Sequence, residues 1–383
     1  MSVRIERVDV HCLQDPAAGH FRFEGSYQNV VVVVHGDNGL AGIGETDSPP
    51  SVIRSIIEMP TYNSLAMGLS EVVTGQPVDD PRALWDAMYG ATQWFGRHGA
   101  AIHAISALDI AIWDLHARSR GKPVHAVLGT ARRDRLPAYA TIYPMAATPE
   151  GITAQITPLR ERGFRNIKFC VDPWWSDIAL VHANLRHLRR IVGPDFGLML
   201  DVAQEFDRLA QIVPFVGLLE EIGVRWIEAP FALDNLADHV ALKSKTRLAI
   251  AVGDLGVTTC KEFRPFLDAG AIDIAQPDLT MFGGLTEAMR LEGMLRGTGV
   301  RIVPHGYNSD ITIAANLHFA ATLADETFIE YSTSPARLRR ELCSGLPPVE
   351  DDGTIAVPQA PGLGLTLDRA LIDDFAGFSH RPT

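Results

Sequence analysis

Three short apolar runs between Gly197 and Asp254 each end in a carboxylate: Gly197-Leu-Met-Leu-Asp201, Arg225-Trp-Ile-Glu228 and Leu248-Ala-Ile-Ala-Val-Gly-Asp254. The acids are 27 and 26 residues apart (228 − 201; 254 − 228). That is close to one strand-plus-helix unit of a βα barrel, roughly 30 residues. Helix-like segments fill the gaps at 206–222 and 233–244. Successive parallel strands bring their C-terminal ends to one rim, so the three acids are expected to converge there. Three carboxylates in one pocket repel one another and do not all stay ionised unless a cation sits among them. An all-oxygen ligand set favours a hard ion, Mg²⁺ first. One acid at a strand end is as well explained by solvation or a helix N-cap. Three in phase, each closing a strand, are not.

Other strand ends carry chemistry too. Lys168 and Cys170 stand two apart near the end of a strand at 166–171 and therefore face one side. Asp278 follows the run 271–276, His305 follows 300–304, and Glu330 lies in 327–331. A barrel interior normally takes Val, Ile and Leu; here six of eight strands end in ionisable groups. Asp278 and His305 come from neighbouring strands and are expected to meet. A carboxylate bonded to one imidazole nitrogen fixes the tautomer and raises the basicity of the other, which makes a general base. A solvated histidine after a strand is the plain alternative.

These groups need a frame. Residues 1–12 alternate as a strand, 28–34 form a second, and a turn at Gly36-Asp-Asn-Gly39 returns the chain as a third at 40–45. Between the first two lies a loop of functional length, 15–27. From Pro50 to about Arg120 the pattern is helical. Its clearest helix, 100–119, is apolar on most faces and hence buried, so Asp109 and Asp114 inside it need partners. This first part reads as an α+β domain. After Gly121-Lys-Pro and Gly129-Thr the period changes. A strand at 139–143 opens a series of eight strands alternating with seven helices, which points to a parallel barrel rather than an open sheet. The tail from about Leu346 is rich in Pro and Gly, too irregular for another unit, and is expected to return to the first domain.

Bulk properties exclude some partners. With 383 residues and 46% hydrophobic content a large core is available. A net charge of −12 without a Lys/Arg cluster argues against nucleic acid or an anionic membrane. Cys12, Cys170, Cys260 and Cys343 form no CxxC pair, so neither a disulfide framework nor a zinc knuckle is indicated. The first residues enter a strand without a signal-like apolar segment, and no run of 18 apolar residues occurs. A cytoplasmic protein is expected.

The chain resembles the enolase superfamily, mandelate racemase branch, over nearly its whole length. The likeness rests on Leu-Ala-Gly-Ile-Gly-Glu ending at Glu45, on 104–115 with Gly121-Lys-Pro, on Gly163-Phe164 followed by Lys168, and on Asp201. It continues through Trp226-Ile-Glu-Ala-Pro230, Gln276-Pro-Asp278, Gly283-Gly284, Pro304-His305, Glu330 and Pro361-Gly-Leu-Gly364. The resemblance implies an α/β fold, a (β/α)₇β TIM-like barrel (126–340) under an α+β capping domain (1–125), with 341–383 returning to the cap. It further implies one Mg²⁺ per subunit and removal of the proton α to a substrate carboxylate. Metal ligands map onto Asp201, Glu228 and Asp254, the His–Asp dyad onto His305 and Asp278, and the groups that bind the substrate carboxylate and stabilise the enediolate onto Lys168 and Glu330. Three positions depart from the pattern: Asp254 replaces the usual Glu, Ala203 the usual Asn, and Cys170 the usual second Lys, often the base on the face opposite the histidine.

With one good base, a one-face β-elimination is easier than two-face racemisation. Dehydration of an aldonate or aldarate to a 2-keto-3-deoxy acid is the first expectation. An epimerase, racemase or cycloisomerase of a hydroxy acid or lactone, with Cys170 as the second acid, is the alternative. A metal-dead relative that only binds a ligand stands third. A zinc hydrolase is disfavoured because the strand at 139–143 carries no His pair. The expected partner is a small anionic carboxylate, with no nucleic acid or membrane, and the protein is expected to be a homo-oligomer. Specificity is expected in the 15–27 loop, through His20, Arg22 and Tyr27, near Asp47 and Ser48, and at Tyr143.

Overall fold

The computed structural model describes residues 2–15, 28–334 and 336–376. Its first sheet has three antiparallel strands, β1 (Ile5–Gln14), β2 (Gln28–Gly36) and β3 (Ala41–Thr46), in the order β1-β2-β3. The β2–β3 turn is closed by Gly36 and Leu40, with Gly39 at φ +81°. Two glycines of β3 decide how the cap packs. A Cβ on Gly42 would lie 2.0 Å from the Ala111 carbonyl oxygen, and one on Gly44 2.1 Å from that of Ala107. Only hydrogen at both positions lets the helix Ala100–Ser119 lie directly on the sheet.

Eight parallel strands form the second sheet: β4 (Arg135–Ile142), β5 (Asn166–Cys170), β6 (Gly197–Asp201), β7 (Val224–Glu228), β8 (Ala249–Val252), β9 (Ile274–Ala275), β10 (Arg301–Ile302) and β11 (Ile329–Ser332). They pair in chain order from β4 to β10, and β11 pairs with the free side of β4, so the sheet curls into a barrel. Several strands end earlier than the apolar runs suggest. β9 and β10 are cut short before Pro277 and Pro304, which have no N–H to give a neighbour. The connection from β8 to β9 is only a 3₁₀ turn, Cys260–Phe263, and a short helix, Arg264–Asp268. Inside the barrel Tyr139, Met199, Trp226 and Phe328 form an apolar plug with smaller side chains. The rings of Tyr139 and Trp226 meet edge to face at 5.7 Å. No helix among the described residues is long and apolar enough to cross a membrane.

Buried polar contacts join cap to barrel, and both interior acids of the long helix find partners. Asp109 accepts from the Thr286 backbone N–H at 2.9 Å and the Thr286 hydroxyl at 2.6 Å. Trp113 Nε1 donates to the same hydroxyl at 2.9 Å. Asp114 accepts from the N–H groups of Ile43 and Leu363 and from Arg118. The last segment reinforces this junction: β12 (Cys343–Ser344) pairs with β14 (Thr366–Leu367), β13 (Thr354–Ala356) adds antiparallel to β4, and Ala376 bridges to Leu13.

Glu45, fully buried at the end of β3, is the tightest of these joints. It accepts from Asn29 Nδ2 at 2.6 Å, from the Ser309 hydroxyl at 2.6 Å and N–H at 3.2 Å, and from the Thr312 N–H at 2.8 Å and hydroxyl. Ser309 is the N-cap of the barrel helix Asp310–Ala320, so the carboxylate sits at a helix N-terminus that favours negative charge. Glu45→Gln replaces one acceptor oxygen by a donor facing donors. It is expected to cost about 2–4 kcal/mol of unfolding free energy, read from the shift in urea midpoint.

Candidate active site

The C-terminal ends of β5, β6 and β7 lie in register, Cys170 beside Asp201 and Asp201 beside Glu228. Strand pairing alone therefore brings these groups to one rim. Asp254 joins them from two residues beyond β8, where Gly253 turns the chain at φ +127°. One carboxylate oxygen from each of Asp201, Glu228 and Asp254 lies within 4.8 Å of the others, and all three residues are buried. Buried, clustered and all-oxygen, the set fits a hard metal ion. Glu228 has its second oxygen fixed by Trp226 Nε1 at 3.0 Å and Gln276 Nε2 at 2.7 Å. Asp201 Oδ1 accepts from the Ala203 N–H at 2.8 Å. Ala203, Gln204 and Ala229 beside these ligands take φ of 49°, 59° and 42°. Such left-handed backbone disfavours any residue with a Cβ, and Asn tolerates it better than Ala.

Among the described residues Lys168 is the only ammonium beside these acids. Its Nζ contacts Glu228, Glu330 Oε1 at 2.9 Å and Asp201 Oδ2 at 3.4 Å, with no exposed surface. Burial works against its charge, but Glu228 and Glu330 outweigh it and hold the ammonium well above the usual lysine range. One cation does not balance the group. Burial, with Asp201 and Asp254, pushes Glu228 up to about 8 although Lys168 pulls down. Burial and Asp201 push Asp254 up to about 6. The surplus negative charge is what a bound cation would take up.

Across the rim, His305 Nδ1 donates to Asp278 Oδ2 at 2.7 Å. Asp278 Oδ1 accepts from the Thr280 N–H at 2.7 Å and hydroxyl at 2.6 Å, which fixes the carboxylate and through it the imidazole. With Nδ1 engaged, Nε2 is the remaining ring nitrogen, 3.7 Å from Glu330 Oε2. Burial would lower the imidazole's proton affinity; Glu330 and Asp278 overcome it and raise the pKa to about 10. Glu330 accepts from the hydroxyls of Tyr139 and Thr141, the Gly306 N–H and Lys168. Burial opposes its ionisation, yet Lys168, His305 and these donors hold it down at about 2.

Cys170 Sγ lies 3.9 Å from Asp201 Oδ2. Burial and the Asp201 carboxylate push its thiol well above the usual range, which disfavours the thiolate. Tyr143 and Asp47 line the same cavity as Lys168, Cys170 and His305. The Ser48 hydroxyl is bonded to His103 at 3.0 Å. His20, Arg22 and Tyr27 lie outside the described residues. The sequence reading gave no site role to Thr141, Thr280, Trp226 and Tyr307. The first and third were within reach of it: Thr141 stands two residues from Tyr139 and Tyr143, and Trp226 two before Glu228, so each shares a face with a residue already singled out.

Two family models cover most of the chain. That of the mandelate racemase / muconate lactonizing enzyme N-terminal domain matches residues 5–129, and that of the enolase C-terminal domain-like family matches 152–371. The chain belongs to the mandelate racemase branch of the enolase superfamily. Among its relatives, the protein named L-rhamnonate dehydratase of Saccharopolyspora erythraea is 28% identical over 350 residues, 88% of this chain and 83% of that one. D-galactarolactone cycloisomerase of Agrobacterium fabrum is 26% identical over 366 residues, 91% of each chain. The fold matches the crystal structure of 3,6-anhydro-D-galactonate cycloisomerase from Zobellia galactanivorans with a TM-score of 0.86 over 98% of this chain and 99% of that one, at 24% identity. The α/β fold of cap and TIM-like barrel is therefore that of the superfamily.

If the triad holds a cation, the ion stabilises the folded chain. Mg²⁺ at about a hundred times its dissociation constant is expected to add about 2.7 kcal/mol to unfolding free energy. Asp201→Asn or Glu228→Gln should weaken Mg²⁺ binding at least about tenfold, measured calorimetrically, since one anionic ligand is lost. Asp254→Glu should retain binding, whereas wild-type affinity in Asp254→Asn would remove Asp254 from the ligand set.

Proposed function

We propose that this protein catalyses Mg²⁺-dependent removal of the proton α to the carboxylate of an acid sugar, followed by loss of the β-hydroxyl. An aldonate or aldarate thereby becomes a 2-keto-3-deoxy acid. The observation that carries this reading is the His305–Asp278 dyad, bonded at 2.7 Å, with His305 opening on the same cavity as Lys168, Asp201 and Asp254. The relative named L-rhamnonate dehydratase, matched over 88% of this chain, supports the substrate class.

His305 Nε2 takes the proton from the α-carbon, and the electron pair of that C–H bond moves into the carboxylate as an enediolate. Mg²⁺, when bound by Asp201, Glu228 and Asp254, supplies a Lewis acid for that developing charge. Lys168 adds a fixed positive charge on the same side. Glu330 is an anion with its lone pairs engaged, so its part is to hold Lys168 and His305 in place and not to donate a proton. The enediolate then expels the β-hydroxyl, and the proton held by His305 leaves with it as water. The enol product tautomerises to the 2-keto acid. All of this uses one face of the substrate, and the Cys170 thiol is not required to carry a proton.

A cycloisomerase is the second reading, favoured by the match to D-galactarolactone cycloisomerase over 91% of both chains. It shares the first step and differs in what departs or which face is reprotonated. A cytoplasmic location and self-association complete the proposal. The four unbridged cysteines support the first; the exposed aromatics Tyr62, Trp94 and Phe95 support the second.

His305→Asn should lose both turnover and exchange of the α-proton with D₂O, followed by NMR. Because Glu330 and Asp278 raise the imidazole's proton affinity, the neutral base is populated only on the alkaline side. The rising limb of kcat/KM is expected above pH 6.5, the ordinary histidine value, and Asp278→Asn should move it to lower pH while reducing kcat. Cys170→Ser should keep most activity. A loss of about a thousandfold, roughly 4 kcal/mol, would instead favour the two-face reading.

A further inference from the structure

The helix Asp310–Ala320 touches the dyad as well as the cap. Asn316, fully buried on that helix, donates from Nδ2 to the main-chain carbonyl of His305 at 2.9 Å. Among the described residues this is the one hydrogen bond its side chain makes, and its Oδ1 finds no donor. Burying an amide oxygen unpaired costs stability, and an apolar side chain of the same size would fill the space without that cost. Packing alone therefore does not account for an amide at this position; the carbonyl behind the histidine does.

The segment that Asn316 holds is short and tethered on every side. The His305 N–H donates to the Pro277 carbonyl at 3.1 Å, the ring to Asp278 at 2.7 Å, and the Gly306 N–H to Glu330 Oε2 at 3.1 Å. Those three contacts come from the barrel rim; the one from Asn316 comes from the helix. Gly306 lies directly against that helix, since a Cβ there would stand 2.5 Å from Asn316 Nδ2 and 2.9 Å from Thr312 Cγ2. Thr312, one turn before Asn316, gives its N–H to Glu45 at 2.8 Å. The helix turn that the cap clamps thus runs immediately behind the dyad.

We propose that Asn316 is a positioning residue for His305: its amide fixes the carbonyl behind the imidazole and so sets both the ring's reach to the α-carbon and its bond to Asp278. This rests on His305 as the base of the reaction above. Asn316 does not line the cavity, so it meets neither substrate nor the acid triad and acts through the main chain of His305. A base displaced by a fraction of an ångström costs rate at the reacting atoms and leaves substrate binding largely intact.

The test uses the full chain with Mg²⁺ and the acid sugar it turns over best. Asn316→Leu keeps the volume and removes the donor. It should lower kcat and α-proton exchange with D₂O about tenfold or more, and leave KM and the calorimetric Kd for Mg²⁺ within about threefold of wild type. The rising limb of kcat/KM should move to lower pH, because a displaced imidazole loses part of the support of Asp278. A residue that only packs would lower the urea midpoint and leave kcat, exchange and the limb of the folded enzyme where they were. That result overturns the proposal, and so does a rise in KM alone. Gly306→Ala presses a Cβ onto Asn316 from the other side and should show the same pattern; it decides the matter if Asn316→Leu does not fold. Should wild type exchange the α-proton of no acid sugar, the functional reading falls on its own. NMR titration of the His305 ring then still judges this one, and a midpoint unchanged in both variants overturns it.

Discussion

A single buried ammonium governs the centre of this protein. Lys168 Nζ faces Glu228, Glu330 and Asp201 with no exposed surface. Taking several carboxylates out of water is costly, and one cation among them does not repay it. The barrel must therefore hold these groups against their own repulsion. It does so with strand pairing below them and an apolar plug beneath, where Tyr139 and Trp226 pack edge to face and also donate to Glu330 and Glu228. The two aromatic residues are thus core and site at once. Their rings carry the packing, and their polar tips set the orientation of the acids.

The same constraint explains why the cap is bound so rigidly. A site with surplus charge is useful only if water is kept out and a substrate let in, and the cap closes the rim on that side. Its hold on the barrel is apolar and polar together: Val33, Ile43, Ile110 and Trp113 share one buried core with the barrel, and across the same junction Glu45 sits on the N-terminus of the helix Asp310–Ala320 and Asp109 on Thr286. The directional bonds add a fixed relative setting to that apolar contact. That setting carries β3 through Glu45 to Asp47, and Asp47 reaches Thr280 and so the dyad.

Much of this was legible along the chain. The spacing of Asp201, Glu228 and Asp254 follows from barrel geometry, and parallel neighbours predicted that Asp278 and His305 would meet. The helix Ala100–Ser119 was readable at both ends, and its interior acids were expected to have partners, though not which. The partners depend on how two domains are set against each other, which no local period records. Thr286 for Asp109 and Ser309 for Glu45 lie 177 and 264 residues away. Strand ends were less legible than strand cores: Pro277 and Pro304 interrupt the ladder, which resumes beyond them as a single bridge between Asp278 and His305.

The departure at Asp254 shows how backbone can stand in for side chain. The other two acids of the triad close their strands, Asp201 as the last residue of β6 and Glu228 as the last of β7. Asp254 has a shorter side chain than the glutamate usual in the family, yet its oxygen falls within the same 4.8 Å group. It gets there because β8 stops at Val252 and the chain leaves the strand through Gly253 at φ +127°. A side chain at Gly253 would be strained by that φ, and its Cβ would lie 2.5 Å from the Phe263 ring. The glycine is thus what turns the backbone and carries a short acid toward the shared centre. Position 253 and position 254 form one unit of the site, since a longer acid would need less of the turn and a residue with a Cβ could not make it.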